Sequence, residues 1–178
     1  MIAPAPILVG QIGPLFWMRV EGKGSFLNSV QVKRCFQAMI EQGERHFVVD
    51  LERCPIMDST FLGTLTGAAL NLREIGSGEV SVLNANARNQ QLLASLGLDH
   101  ILDVDRDGSK YCAERKKVCG ELGTCGHEVA PCGKDEQTAQ VLAAHEALTL
   151  ANEDNEARFR DVIEFLEKEV HGNQPGPA

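Results

Sequence analysis

The hydrophobic pattern of residues 7–107 alternates between short apolar runs and longer stretches with helical spacing. The short runs are rich in β-branched and aromatic residues and predict strands at 7–9, 15–20, 47–51, 80–83 and 101–104. The longer stretches have one apolar face and predict helices at 28–42, 59–75 and 87–96. This alternation predicts an α/β fold, in which helices cover at least one face of a mixed β-sheet.

The predicted helix at 59–75 begins with two adjacent hydroxyl groups, in the run Met57-Asp58-Ser59-Thr60-Phe61-Leu62-Gly63. Asp58 is a favoured N-cap residue, which places Ser59 and Thr60 in the first helical turn. Free backbone amides and the positive end of the helix dipole lie there, so a phosphate on either hydroxyl would be tolerated electrostatically. The residues alone leave two interpretations open, a phosphorylation site or a simple helix cap.

The composition changes after the domain predicted at 1–107. Residues 108–134 hold four of the six cysteines and are predicted to be a Cys/Gly-rich linker or insertion. Residues 135–171 contain no Gly or Pro and carry apolar residues on three- and four-residue steps, which predicts a long helix. His145, Asn152 and Asn155 interrupt the apolar seam, so we expect this helix to fold back on the domain or to pair weakly with a partner. Residues 172–178 are predicted to be a disordered tail.

Charge and hydropathy restrict the classes of partner. The formal net charge of -8 gives no overall attraction to nucleic acid or to an anionic membrane, so no direct nucleic-acid partner is expected. No apolar run approaches the roughly 20 residues that span a bilayer, and the first residues lack the pattern of a signal peptide. We therefore expect a cytoplasmic protein without a membrane span, in which free thiols are the default state of cysteine.

Metal-binding and catalytic patterns are weak. The candidate zinc ligands are Cys112, Cys119, Cys125, His127 and Cys132. Structural zinc sites favour cysteine pairs two to four residues apart, and this segment has none, so zinc, a disulfide or redox role, and unremarkable thiols stay open. The remaining histidines are scattered and no phosphate-binding glycine loop is present, so we expect neither an enzyme nor a required cofactor.

Several segments together resemble a known family. They are Asp50-Leu51, Met57-Asp58-Ser59-Thr60, Leu62-Gly63, Val82-Leu83-Asn84-Ala85-Asn86 and Leu96-Gly97-Leu98. Their order and spacing resemble the STAS domain of bacterial anti-sigma factor antagonists, over about residues 7 to 107. The resemblance implies a STAS-like mixed β-sheet covered by helices, which leaves a C-terminal helical extension outside the family pattern.

The resemblance also implies a switch. In that family, an anti-sigma factor that is also a serine kinase phosphorylates a Ser or Thr in this turn and is thereby freed to hold its sigma factor. The unmodified antagonist binds the kinase instead, and a separate phosphatase resets the switch. Carried over by position, Ser59 is the first candidate phosphoacceptor and Thr60 the second, with Asp58 as the neighbouring acidic residue. A phosphoserine adds about -1.5 to -2 charges, enough to disrupt docking.

Two positions depart from the family pattern. Phe61 stands where members usually have Gly, and its ring is expected beside the proposed docking site. Members often carry Gly-x-Leu-Asp before the first helix, whereas this chain has Ser25-Phe26-Leu27-Asn28, so Asn28 is expected to cap that helix without a carboxylate. The expected partner-binding residues are Asp58, Ser59, Thr60, Phe61 and Asn28.

Three functional hypotheses follow. The first is an anti-sigma factor antagonist switched by phosphorylation of the Asp58-Ser59-Thr60 turn, with an anti-sigma kinase and a phosphatase as partners. The second is an unphosphorylated STAS interaction or assembly module that uses the C-terminal helix for oligomerisation or scaffold binding. The third is a redox or metal sensor that acts through the cysteine segment.

Overall fold

A computed structural model describes residues 6–125 and 131–172 of the chain. Within these residues the strands are β1 (Ile7–Ile12), β2 (Leu15–Val20), β3 (His46–Asp50), β4 (Glu79–Leu83), β5 (Asp103–Val104) and β6 (Gly123–Thr124). The helices are α1 (Phe26–Glu41), α2 (Ser59–Ile75), α3 (Ala87–Ser95), α4 (Cys112–Arg115), α5 (Lys134–Ala151) and α6 (Asp154–Gly172), with a 3-10 turn at Leu98–His100. The predicted disordered tail at 172–178 begins with Gly172, which is instead the last residue of α6, and residues 173–178 lie outside the described residues.

The described strands form one mixed sheet in the order β5-β4-β3-β2-β1-β6. β1 and β2 are an antiparallel hairpin, β2 to β5 pair in parallel, and β6 runs antiparallel to β1. The predicted α/β class, the first hairpin and the mixed sheet are therefore confirmed. The bounds of α2 coincide with the predicted range 59–75, because Asp58 caps its start and Gly76 ends it in a left-handed conformation.

Helices α1, α2 and α3 cover one face of the sheet and enclose the larger core. Phe47 and Val49 of β3 face this core, together with Phe36 of α1 and Leu62 and Leu65 of α2, and none of these side chains is more than 2% exposed. Alternate residues of a strand point to opposite faces, so Val48 belongs to a second, smaller cluster. The main core thus fixes α2, and with it the Ser59 turn, against the sheet.

The described residues 108–125 of the predicted linker contribute structure to the sheet. β6 pairs with the edge of β1, and Val118, 2% exposed, packs with Trp17 and Val48 on the second face of the sheet. A two-residue Gly-Thr strand has no periodic pattern, so the sequence predicts only a linker or insertion for this segment. The segment covers a sheet face that would otherwise expose Trp17.

The C-terminal region is two helices, where the sequence predicts one long helix over 135–171. Asn152 is extended and breaks the helical path, and its side-chain oxygen accepts a hydrogen bond from the Asp154 backbone N–H at 3.1 Å. Asn favours such capping positions over helix interiors. α5 packs on α2, and α6 packs on α5. We call residues 134–172 the C-terminal hairpin; its return onto the domain matches the expectation that this region folds back.

None of the helices in the described part of the chain is both long enough and apolar enough to cross a membrane.

Candidate functional site

Asp58 joins the starts of two helices. Its Oδ1 accepts a hydrogen bond from the Phe61 backbone N–H at 2.9 Å, which caps α2, and its Oδ2 accepts one from the Phe26 backbone N–H at 3.0 Å, at the start of α1. The predicted N-cap is confirmed. The carboxylate therefore holds the Ser59 turn against the first turn of α1, in addition to any contact with a partner.

Phe61 lies inside the protein, and its ring does not reach a docking surface. Its side chain is fully buried, and a Cβ atom on Gly24 would approach the ring to 2.8 Å. Gly24 and Met57 form a parallel β-bridge, which brings the chain before α1 against the chain before α2. The expected position of Phe61 beside a docking site is therefore wrong, because the missing side chain of Gly24 provides space for the ring in the core.

Asn28 is also buried, at 1% exposure. The N-cap of α1 is Ser25, and Asn28 occupies the third helical position, where its side-chain oxygen accepts a hydrogen bond from the Ser25 backbone N–H at 2.9 Å. The expectation that Asn28 itself caps the helix is wrong, since the reciprocal capping arrangement begins three residues earlier. Asn28 shapes the loop before α1 from inside.

Two apolar residues missed by the sequence analysis are exposed beside the turn. Phe26 and Leu27, in the first turn of α1, are each 44% exposed, and the backbone N–H of Phe26 is bonded to Asp58. Their exposure could have been predicted from the sequence, because both are large apolar residues that lie outside the apolar face of the amphipathic helix α1. They give the site an apolar surface on which a protein partner could dock.

Ser59 is half-buried and contacts the C-terminal hairpin. Its Oγ lies 3.0 Å from Nε2 of His145, and Nδ1 of His145 lies 2.8 Å from the carbonyl oxygen of Val141. A carbonyl oxygen only accepts hydrogen bonds, so Nδ1 carries a hydrogen. In the neutral ring Nε2 is then an acceptor, and the Ser59 hydroxyl donates to it.

His145 is held on three sides and only 5% exposed. Its ring packs edge-on against Phe159 of α6, with ring centroids 5.2 Å apart. In the sequence, His145 is only a polar interruption of the helix seam. No local signal could have paired it with Ser59, because the two residues lie 86 positions apart.

Thr60, the second predicted acceptor, is only 6% exposed. Its carbonyl oxygen accepts a hydrogen bond from Thr64 Oγ1 at 2.8 Å, and Thr64 Oγ1 in turn accepts one from Gln140 Nε2 at 2.9 Å. Ser59 is therefore the more accessible of the two hydroxyls. Gln140 provides a second polar link between α5 and α2.

Asp50 organises a buried polar cluster at the end of β3. Its carboxylate accepts hydrogen bonds from Arg19 Nη2 at 2.7 Å, from Asn84 Nδ2 at 2.8 Å and from the Glu52 backbone N–H at 3.0 Å. Burial alone would raise the pKa of Asp50, but the bonds from Asn84, Glu52 and Arg19 together outweigh burial and lower the pKa. Asp50, part of the family-like Asp50-Leu51 segment, thus has a structural role, and the fold stabilises its negative charge.

The candidate zinc ligands are spread over different surroundings. Cys112 and Cys119 are exposed, Cys132 is half-buried, and Cys125 packs against the main core near Cys35. His127 lies outside the described residues. Among residues 6–125 and 131–172, no three Cys, His, Asp or Glu side chains are grouped to hold a metal ion. A hydrogen bond with Cys125, followed by burial, raises the pKa of the Cys35 thiol strongly, so Cys35 stays protonated.

The fold and the Ser59 turn define a class of domain. The family model described as "Mlab, STAS domain" matches residues 17–103, and this part of the chain is a STAS domain. The STAS-like fold predicted from the sequence is thereby confirmed. No curated protein matches the sequence.

Two solved structures are similar to this chain. One is the crystal structure of a proposed anti-sigma factor antagonist (tm1081) from Thermotoga maritima, with 16% identity, a TM-score of 0.52, and coverage of 61% of this chain and 90% of that chain. The other is the anti-sigma factor antagonist SpoIIAA in its unphosphorylated form, with 16% identity, a TM-score of 0.50, and coverage of 63% of this chain and 98% of that chain. At this identity the likeness shows the fold. Both matches cover less than two thirds of this chain. The C-terminal hairpin lies outside the residues 17–103 that the family model matches.

Proposed function

We propose that this protein is an anti-sigma factor antagonist, switched by phosphorylation of Ser59. The observation that carries the proposal is the position of Ser59, in the first turn of α2 with the N-cap Asp58 before it, in a STAS domain. The similar structures described as anti-sigma factor antagonists support this role. The protein would act by binding, as a kinase substrate without catalytic residues or a cofactor of its own, in the cytoplasm.

The proposed partner is an anti-sigma factor with serine kinase activity, and a phosphatase would reverse the modification. The helix N-terminus favours an added negative charge, so a phosphate on Ser59 is compatible with the fold of α2. The adjacent exposed Phe26 and Leu27 supply apolar area for docking. Phosphate would place a charge of about -1.5 to -2 beside that area and oppose burial of the surface in a complex.

The test is site-resolved mass spectrometry of the protein recovered from its native cell with phosphatases inhibited. Phosphate on Ser59, lost in Ser59→Ala and retained in Thr60→Ser, supports the proposal. Capture of an anti-sigma kinase by the unmodified protein, but not by the phosphoprotein, would complete it. Unmodified Ser59 across growth and stress conditions would contradict it.

A second candidate function is an unphosphorylated assembly module. The observation that favours it is the exposed apolar surface of the C-terminal hairpin, where Val162 is 43% exposed, Phe165 62% and Leu150 78%. Size-exclusion chromatography coupled to light scattering, which measures the molar mass of the protein in solution, tests this function. A dimer or larger assembly that Phe165→Ser converts to monomer, with Ser59 unmodified, would favour it over the switch.

A further inference from the structure

α5 lies over the part of α2 that begins with Ser59. His145 and Gln140 make hydrogen bonds to Ser59 and Thr64, as described above. The backbones also approach closely, since a Cβ atom on Gly63 would overlap the carbonyl oxygen of Ala144. The first two turns of α2 are therefore covered by a segment of the same chain, at the residue where we propose the phosphate is added.

A phosphate on Ser59 is incompatible with this contact. Phosphoryl transfer from ATP forms a bond between Oγ and the γ-phosphorus, breaks the bond from that phosphorus to the β–γ bridging oxygen, and passes the hydroxyl proton to a base of the kinase. The 3.0 Å between Oγ and Nε2 leaves no space for the phosphoryl group between them. The esterified Oγ also has no hydrogen to donate, so neutral His145 loses its donor in every rotamer of Ser59.

The far end of the hairpin is anchored at α3. Asn155, 1% exposed, donates hydrogen bonds to the carbonyl oxygens of Leu96 and Leu148 at 2.9 and 2.8 Å. The bidentate pair between Arg34 and Glu136 is partly solvated and contributes little. The hairpin is thus attached at its turn and, through His145 and Gln140, along α5.

The interface between the C-terminal hairpin and the rest of the protein leaves some polar atoms without hydrogen bonds. Within the described residues, the side-chain oxygens of Gln140 and Asn155 are buried without a hydrogen-bond partner, which opposes docking. A partly open pocket of about 210 Å³ also lies between α1, α2 and α5, so solvent reaches one edge of the contact between α2 and α5. An interface with these defects can open at a lower cost than the main core.

We propose that the C-terminal hairpin is a releasable cover for Ser59. The hairpin must leave α2 before a kinase or another partner reaches Ser59, and a phosphate on Ser59 then prevents it from closing again. This inference rests on the proposed function, because it concerns the regulation of the same residue. It identifies His145 as the residue through which the hairpin responds to the state of Ser59.

The chain offers a matched pair of glycine variants for the test. In Gly63→Ala the new methyl group meets the Ala144 carbonyl, whereas in Gly67→Ala it meets the Ala147 Cβ at 3.7 Å, an ordinary contact. Both positions are helical and four residues apart on α2. Gly63→Ala should therefore displace the hairpin, and Gly67→Ala should leave it docked with the same change in helix propensity.

Access to position 59 is measured without a kinase. Each variant carries Ser59→Cys, and alkylation by iodoacetamide is followed by peptide mass spectrometry, with exposed Cys112 as the internal reference. We expect Gly63→Ala to raise the relative rate at position 59 by about tenfold, equivalent to about 1.4 kcal/mol, and Gly67→Ala to leave it unchanged. Equal rates in the two variants would overturn the proposal.

Hydrogen exchange separates release of the hairpin from unfolding of the whole protein, and a second variant tests the role of His145. Unchanged hydrogen exchange in β3 and β4 shows that the STAS domain of Gly63→Ala stays folded. His145→Ala should also raise exchange in α5, whereas His171→Ala, exposed near the end of α6, should not. Unchanged α5 exchange in His145→Ala would show that His145 does not hold the cover.

Phosphoserine installed at position 59 during translation separates this inference from the proposed function. Faster exchange in α5 of that protein supports the cover, and slower exchange, as expected if protonated His145 binds the phosphate, would overturn it. If a native kinase fails to modify Ser59 even in Gly63→Ala, the proposed function fails while the alkylation result still decides the cover.

Discussion

At the scale of residues, Asp58 and Asp50 show two uses of a carboxylate on either side of the same loop. Asp58 is half-buried and bonds to backbone N–H groups at the starts of two helices. Asp50 is fully buried and bonds to charged and amide side chains. The first fixes the orientation of the Ser59 turn, and the second fixes the end of the strand that precedes it.

Asp58→Ala should lower the free energy of unfolding by about 1 to 2 kcal/mol, because it removes the cap of α2 and the bond to α1. Asp58→Asn keeps an oxygen acceptor and should lose only a fraction of this amount. Urea denaturation followed by circular dichroism measures both. Equal losses in the two variants would indicate that the charge, rather than the capping geometry, stabilises the turn.

The lowered pKa of Asp50 predicts a dependence of stability on acid pH. The folded-state pKa lies below the unfolded value of about 3.9, so the stabilisation is fully present above that value and is lost as pH falls through the folded pKa. The free energy of unfolding should therefore fall as the pH drops below about 4. Asp50→Asn should flatten this slope, whereas Asp161→Asn, on the exposed surface of α6, should preserve it.

Part of the site follows from local sequence. A cap depends on residues next to the helix start, so Asp58 and the first-turn position of Ser59 were predictable. The prediction that Phe61 and Asn28 belong to a partner surface is wrong, because Phe61 is buried against Gly24 and Asn28 bonds to Ser25, contacts that the sequence around the Ser59 turn does not indicate. His145 required the tertiary fold, since a contact across 86 residues leaves no periodic trace.

At the scale of elements, the break between α5 and α6 determines where the chain turns back. Gly97, at φ +66°, lies against the side chain of Asn152, the residue at the break. Left-handed φ favours glycine, and the absent side chain also leaves space for Asn152. The turn of the hairpin is therefore seated on the loop that follows α3.

Gly97→Ala should destabilise the protein more than Gly76→Ala. Both glycines have positive φ, so each substitution carries a backbone cost of about 1 to 2 kcal/mol. Only Gly97→Ala adds an overlap with Asn152, whereas a Cβ on Gly76 meets nothing within 4 Å. Thermal unfolding compares the two; a larger loss at Gly76 would contradict the seating of the hairpin turn on Gly97.

Elements with strong periodicity were predictable, and short or interrupted ones were not. α2 has caps at both ends and a continuous apolar face, so local rules defined it. β6 has two residues, and its strand conformation comes from pairing with β1. The heptad-like pattern continues through Asn152 and predicts an unbroken helix. The helix ends there instead, because the Asn152 side chain caps α6 and α5 packs on α2.

At the scale of the whole molecule, each face of the sheet is covered by a different part of the chain. α1 and α2 cover the main core, and residues 111–122 cover the second face around Trp17. Residues 111–122, within the segment predicted to be a linker, therefore complete the burial of the sheet.

Val118→Ala should lower the free energy of unfolding by about 1 to 2 kcal/mol, because two buried methyl-sized groups are lost at about 0.8 kcal/mol each with some cavity cost. The fluorescence of Trp17, the single tryptophan, reports on the same cluster during urea unfolding. Val162→Ala, at an exposed position of α6, should change stability by less than about 0.5 kcal/mol.

The distance in sequence between Ser59 and His145 has a consequence for biosynthesis. The ribosome makes Ser59 86 residues before His145, which takes roughly 4 to 17 seconds at about 5 to 20 residues per second. During that interval the nascent protein has the Ser59 hydroxyl but not the helix that contacts it. Every newly made copy therefore passes once through a stage in which Ser59 is uncovered, before the completed chain closes over it.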